Sequence, residues 1–348
     1  MSIFVGGDPE LMIVTRDRKR EALPAHLFFE SRDELQKKDR YHNPPVIFRD
    51  GFALEFNPQQ SHCRDVLARN YIHLVHRASA TLKPQGAALL ASSAISVSND
   101  GADWPPDVRR AGCSQSLNAY QEMPPPPKDL TKLPFRAAGG HYHISWEQKN
   151  NSSYNYVDGR YVWQRRASEP EKVPIDQIVR MADAFVGIPF TYIFQDRPEI
   201  FIRRTIYGRA GEYRKKHDTY FEYRVLGAEA WGRIPFVSLF AGLLRQVVIH
   251  REKLAQKWDP SWEPYIREAI DTGVGLADVA KGISVPAFLN LDVMERVRKY
   301  AKYCALRFPF VTLGSEFYGF ASLSSSLKGM PPHPDWRSGW KLFGKVAA

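Results

Sequence analysis

The sequence predicts an α+β fold: strands mixed with helices, then a helical C-terminal third. Alternating apolar and polar residues recur at 52–56, 137–146 and 220–226, the period-two pattern of half-buried strands. Apolar positions at helical spacing fill 64–83 (Val66, Leu67, Ile72, Leu74, Val75), and after Ile234 the pattern is helical over 236–257, 262–271 and 292–306. Strands followed by a run of helices suit α+β better than repeated β–α units.

Taken in order, residues 3–5 form an apolar run stopped by Gly6-Gly7, and residues 8–14 resume strand composition. In the strand over 52–56, Phe52, Leu54 and Phe56 share one face and Ala53 and Glu55 the other. The helix over 64–83 stops at Pro84. Residues 98–132, with Pro105-Pro106 and four prolines at 124–127, read as a long excursion from a single domain. In the strand over 137–146, His141, His143 and Ser145 line one face and Tyr142, Ile144 and Trp146 the other. Residues 150–158 read as polar and turn-rich, and a helix follows over 175–186. A basic, aromatic segment over 201–216 leads into the strand over 220–226, where Glu222 and Arg224 share a face.

Composition narrows the function classes. In 348 residues, Lys+Arg 48 against Asp+Glu 38 gives a net charge of +10, and 25% charged with 44% hydrophobic residues excludes a disordered chain or a coiled coil. Cys63, Cys113 and Cys304 are too few and scattered for a disulfide framework or a zinc ribbon, so a reducing, cytoplasmic setting is expected. The longest apolar stretch, 234–244, falls short of the roughly 20 residues of a membrane span, and no membrane partner is expected. Basic residues are dispersed, with local density at 16–20, 37–40 and 203–216, which favours a phosphate-bearing small substrate over nucleic acid. The phosphate loop GxxxxGK[ST], GxGxxG, HExxH and GxSxG are all missing.

What remains is polar residues on strands that otherwise look buried: Asp8 and Glu10, Glu55, His141 and His143, Glu222 and Arg224. Each alone fits the wet face of an antiparallel sheet. Together, carboxylates with imidazoles suit Mg²⁺ or Mn²⁺, because paired carboxylates repel unless a cation lies between them. The stretch from Arg203 to Lys216 sets Gly208 and Gly211 among arginines, a plausible polyphosphate cradle; its plainer reading is a solvated basic loop.

Asp8-Pro9-Glu10, Leu54-Glu55-Phe56-Asn57-Pro58, Gly139-Gly140-His141-Tyr142-His143, Tyr207-Gly208-Arg209-Ala210-Gly211-Glu212-Tyr213-Arg214 and Glu222-Tyr223-Arg224 occur in this order. In that arrangement the chain resembles the phage-type carboxylate–amine ligase (amidoligase type 2) family, itself similar to glutamine synthetase and glutamate–cysteine ligase. The resemblance runs from about residue 5 to about residue 232. It implies a curved antiparallel sheet of glutamine synthetase-like type with flanking helices. Residues 1–232 would form the catalytic region, and the helical residues 233–348 would pack on the same domain.

Position by position, the resemblance implies Asp8, Glu10, Glu55, His141 and Glu222 as metal ligands. It implies His143, Arg204, Arg214, Tyr207, Gly208 and Gly211 at ATP, and Arg224, Arg214 and Glu55 in catalysis. ATP and two or more Mg²⁺ or Mn²⁺ ions are the expected cofactors. The implied reaction activates a small-molecule or peptide carboxylate as an acyl phosphate, which an amine attacks to give an amide, ADP and phosphate. Glu212 and Asp65 are candidates for the base that deprotonates the amine. The middle excursion reads Gly112-Cys113-Ser114-Gln115-Ser116 where relatives carry an acidic Gly-Cys-Asp-type element. Two alternatives stay open: a guanidino-kinase-like phosphotransferase on the same fold, and a nucleic-acid-binding or nucleic-acid-modifying protein. The second draws on the net charge and on Trp336, Trp340 and Phe343 among Arg337, Lys341 and Lys345. Related synthetases build sites between subunits, so a homo-oligomer is a further expectation, as is a host cytoplasm for a phage-encoded enzyme.

Overall fold

The computed structural model describes residues 2–38, 46–97, 104–105, 108, 116–121, 133–147, 153–157, 160–164, 171–283, 291–307 and 310–311. The prolines at 124–127, Gly112 to Gln115 and the aromatic tail around Trp336 lie outside the described residues.

The main sheet runs in the order β3 (Ile47–Asp50), β4 (Ala53–Phe56), β1 (Ile3–Thr15), β9 (Gly140–Trp146), β13 (Tyr220–Tyr223), β12 (Glu212–His217) and β7 (Leu117–Asn118). Strands β2 (Ala22–Leu23) and β5 (Ala87–Leu90) join the far end of β1, and the pairs β6 (Ala94–Ser96) with β8 (Phe135–Ala137) and β10 (Ser153–Val157) with β11 (Arg160–Gln164) lie apart from it. All of these strand pairs are antiparallel. The expected α+β class, helices with an antiparallel sheet, is what the structure has.

Strand β1 is the spine because it changes partners along its length. Residues 3–9 pair with β9, Glu10 and Leu11 with β4, and residues 12–15 with β5. The sequence suggested a stop at Gly6-Gly7, but the strand runs straight through. A Cβ on Gly6 would strike the Gln60 side chain, and one on Gly7 the Trp231 ring. These glycines serve close packing, not a turn.

The apolar face of the sheet is buried by the helix Arg64–Leu82 and the helix Ile234–Ile249, which also pack on each other. Tyr71 meets Phe56 and Trp231 edge-on at 5.8 and 5.0 Å, and Trp231 stacks on Tyr142 at 4.6 Å. Tyr142, Ile144 and Trp146 all face inward as the alternation predicts. The same alternation turns Asp8, Glu10, Glu55, His141 and His143 to the opposite face.

Other expectations are corrected in detail. The polar stretch over 150–158 contributes the strand β10. The helix expected over 175–186 is α-helical from Ile175 to Ala182, π-helical from Asp183 to Gly187, and α-helical again over Ile188–Ile193. The basic segment divides into a helix, Pro198–Arg204, and strand β12. The helix expected over 236–257 bends by 73° between Ile234–Ile249 and Arg251–Lys257. The helices Glu263–Thr272 and Leu291–Arg307 lie close to their expected bounds, while Leu276–Ile283 was not anticipated. No single helix among the described residues is long and apolar enough to cross a membrane.

Candidate functional site

Register brings the site together. Asp8 stands opposite His141 across β1 and β9; His143 stands opposite Glu222 across β9 and β13; Glu222 stands opposite Arg214 across β13 and β12. On the other side of β1, Glu10 stands opposite Glu55 on β4. Five strands thus gather residues as far apart in sequence as Asp8 and Glu222.

The first cluster is charge-compensated. His141 Nδ1 lies 3.3 Å from Asp8 Oδ1 and 3.5 Å from Glu222 Oε1, and His143 Nε2 lies 3.2 Å from Asp8 Oδ2. Glu222, fully buried, is also 2.8 Å from Arg214 Nη1 and 3.1 Å from Arg224 Nε. Tyr220 Oη is 3.0 Å from His143 Nδ1. Burial pushes the Asp8 carboxyl up, but the His143 charge and hydrogen bonds from both histidines outweigh it and hold it well below the usual carboxylate range. Burial pulls His143 down, but Asp8 overrides it and leaves the imidazole raised. Gly139 has no side chain because His141 Nε2 fills the space a Cβ would take.

The second cluster is carboxylate alone. Glu10, Asp50 and Glu55 each offer an oxygen within 4.8 Å of the other two. Burial first, then the charge of Glu10, pushes Asp50 up to about 6. Burial, followed by the charges of Asp8, Asp50 and Glu10, pushes Glu55 well above the ordinary glutamate range. Glu10 accepts hydrogen bonds from Gly139 N at 2.6 Å and Tyr207 Oη at 2.9 Å. Asp50 escaped the sequence reading because β3 is only four residues long. The usable signal was Gly51 (φ +57°), the first residue of the two-residue Gly51-Phe52 turn from β3 to β4, the place that a tight II′ hairpin turn gives to glycine.

Either cluster suits a divalent cation. Asp8, His143 and Glu222 also place one ligand atom each within 4.8 Å, and His141 Nε2 is buried without a hydrogen-bond partner among the described residues. Hard oxygen donors with imidazole match Mg²⁺ or Mn²⁺.

The arginine segment is arranged differently from a phosphate cradle. Gly208 N donates to Glu212 Oε2 at 2.9 Å and Ala210 N to Asp271 Oδ1 at 2.8 Å. Gly208 and Gly211 take φ of +80° and +79°, and the Arg203 guanidinium and the Tyr120 ring occupy their side-chain space. The loop's glycines therefore answer to its own packing. Arg204 is buried in the helical layer, donating to Thr191 Oγ1 and to the Ile270 carbonyl. Arg203 donates to the carbonyls of Arg224 and Val225 at 2.8 and 3.2 Å and lies 4.3 Å from the Tyr207 ring. Of this segment, the structure brings Tyr207, Arg214 and Lys216 to the carboxylates, with Lys216 Nζ 3.8 Å from Glu222 Oε2. Neither base candidate joins them: Glu212 is committed to Gly208, and Asp65 is exposed and accepts from Ser238 Oγ at 3.0 Å.

Comparison with known proteins follows this geometry. A family model described as phage phiEco32-like COOH.NH2 ligase-type 2 matches residues 172–273. The resemblance to that family holds. The matched segment contains Tyr207, Arg214, Lys216, Glu222 and Arg224; Asp8, Glu10, Asp50, Glu55, His141 and His143 precede it. Among solved structures, a bifunctional glutathione synthetase from Pasteurella multocida aligns over 99% of this chain and 51% of its own, at 12% identity and a TM-score of 0.39. The chain spans about half the length of that protein, and so distant a likeness carries no argument. Comparison with curated proteins gives no match.

Proposed function

We propose that the chain is an ATP- and Mg²⁺-dependent carboxylate–amine ligase on a glutamine synthetase-like sheet. The observation that carries this reading is the pairing, on one sheet face, of two cation-seeking clusters with Arg214, Arg224 and Lys216. Asp8, His143 and Glu222 would hold one ion and Glu10, Asp50 and Glu55 another, with His141 beside the first. Bound there, the ions would shield the phosphate oxygens and make the γ-phosphorus open to attack.

In this reading a substrate carboxylate oxygen attacks the γ-phosphorus, the bond to the β–γ bridging oxygen breaks, and ADP leaves. The arginines stabilise charge on the transferred group from fixed positions: Arg224 is held at its backbone by Arg203 and at its side chain by Glu222. A neutral amine then attacks the acyl carbon, the carbon–oxygen bond to phosphate breaks, and the amine gives up a proton. The domain assignment belongs to the same proposal: residues 1–232 carry the chemistry and the later helices support the sheet from behind.

The test is a screen of amino acids, diamines and peptides in pairs with Mg·ATP, recording ADP, phosphate and adduct mass. ADP and phosphate in equal amounts with an amide adduct support the ligase. A phosphorylated acceptor without free phosphate overturns it in favour of a phosphotransferase.

A further inference from the structure

On the β13 side one carboxylate serves three cations. Glu222 Oε2 lies 2.8 Å from Arg214 Nη1 and 3.8 Å from Lys216 Nζ, while Glu222 Oε1 lies 3.1 Å from Arg224 Nε. Three cationic side chains thus gather at this carboxylate, an arrangement suited to a polyanion.

The far end of Arg224 is held by a neutral group. Arg224 Nη1 donates to Ser116 Oγ at 2.6 Å, and both residues are buried, at 1% and 6% exposure. Ser116 reaches this point because it directly precedes β7, which pairs Leu117 with Tyr213 and Asn118 with Glu212. One step earlier along that register, Ser116 comes alongside Arg214. The strand is fastened by Asn118 Nδ2 donating to the Ala210 carbonyl and Ala119 N to the Gly211 carbonyl, both at 2.9 Å. A hydroxyl accepts one guanidinium hydrogen and fixes its direction. A carboxylate at the same place would fix it equally and cancel its charge.

We propose that Ser116 is a positioning residue of this site, its hydroxyl aiming the Arg224 guanidinium at a polyphosphate without setting a second negative charge against it. The proposal rests on the ligase reading in taking Mg·ATP as that polyphosphate.

The experiment is calorimetric titration of the full chain with Mg·ATP, with a thermal melt of each sample. Ser116→Asn and Ser116→Asp match in size and differ in charge. The account expects Ser116→Ala to bind about 10-fold more weakly than the wild type and Ser116→Thr to stay within about threefold of it. Ser116→Asp should bind at least about 10-fold more weakly than Ser116→Asn, a gap that a purely structural serine would not produce. Equal affinities for the Asn and Asp variants, or wild-type affinity in Ser116→Ala, overturn the proposal. Should the Asp variant fail to fold, the Ala and Thr variants still decide. A wild type that does not bind Mg·ATP overturns the ligase reading and this proposal together, whereas wild-type binding with unaffected variants overturns this proposal alone.

Discussion

The two carboxylate clusters on either side of β1 solve the same electrostatic problem in opposite ways. Around Asp8 and Glu222, two imidazoles, two guanidiniums and an ammonium neutralise the acids, and Asp8 is held ionised. Around Glu10, Asp50 and Glu55, a tyrosine hydroxyl and a backbone N–H bond Glu10, and burial with the neighbouring carboxylates outweighs the charges of His141 and Arg32, so that Asp50 and Glu55 are pushed toward their protonated forms. In the proposed ligase the first cluster would meet anions as well as a metal, and the second would be completed by a cation. A sheet face that holds both can present phosphate and metal to each other without rearranging its backbone.

The largest effect tests the compensated cluster. Glu222→Gln leaves its cations facing one another, which should cost about 3 kcal/mol in urea denaturation and abolish ATP turnover. A variant as stable as the wild type would show that Glu222 does not organise them.

Asp183 is a third case, a carboxyl buried with hydroxyl and backbone donors, its nearest hydrogen bond coming from Tyr223 Oη at 2.7 Å. Burial raises it to about 7 from 3.8. A raised acid favours the folded state while protonated, so this contribution is present below about pH 4 and lost as pH rises through about 7. The wild type should lose about 3 kcal/mol over that window and Asp183→Asn should not. Parallel pH–stability curves would remove Asp183 from the account.

The uncompensated cluster predicts the reverse of the Glu222 result. Without divalent cation at about pH 8, Asp50→Asn should gain about 1 kcal/mol by relieving repulsion, and it should lose most of the stabilisation that Mg²⁺ gives the wild type. A destabilised Asp50→Asn protein in chelator would contradict this picture. Tyr207→Phe, which removes the hydroxyl that bonds Glu10, should have the smallest effect, below about 1 kcal/mol. A larger loss would mean that the Tyr207 ring, packed between Arg203 and His141, moves with its hydroxyl.

How much was legible in the sequence follows from which side chains alternation governs. Strand β9 has period two over seven residues, and the alternation of the four-residue β13 continues past its end to Arg224, so His141, His143, Glu222 and Arg224 can be grouped from the order of residues alone. Asp50 could not, because β3 spends two of its four residues on Arg49 and Asp50 and shows no clean pattern. The arginine loop was legible as a motif and illegible as geometry. Arg203 reaches carbonyls some twenty residues later and Arg204 a carbonyl on the helix Glu263–Thr272, and composition does not say where a six-atom side chain ends. The π-turn that buries Asp183 has no sequence signature, because helical periodicity continues on both sides of it.

The most direct measurement follows an oxygen atom. Carboxylates labelled with oxygen-18 are incubated with the protein, Mg·ATP and the amine panel, and the released phosphate is analysed by mass. The account predicts one labelled oxygen in each phosphate formed, because the attacking carboxylate oxygen leaves with the phosphoryl group when the amide forms. Phosphate released with an amide adduct but without label would contradict activation of the carboxylate by phosphoryl transfer, and with it the central claim.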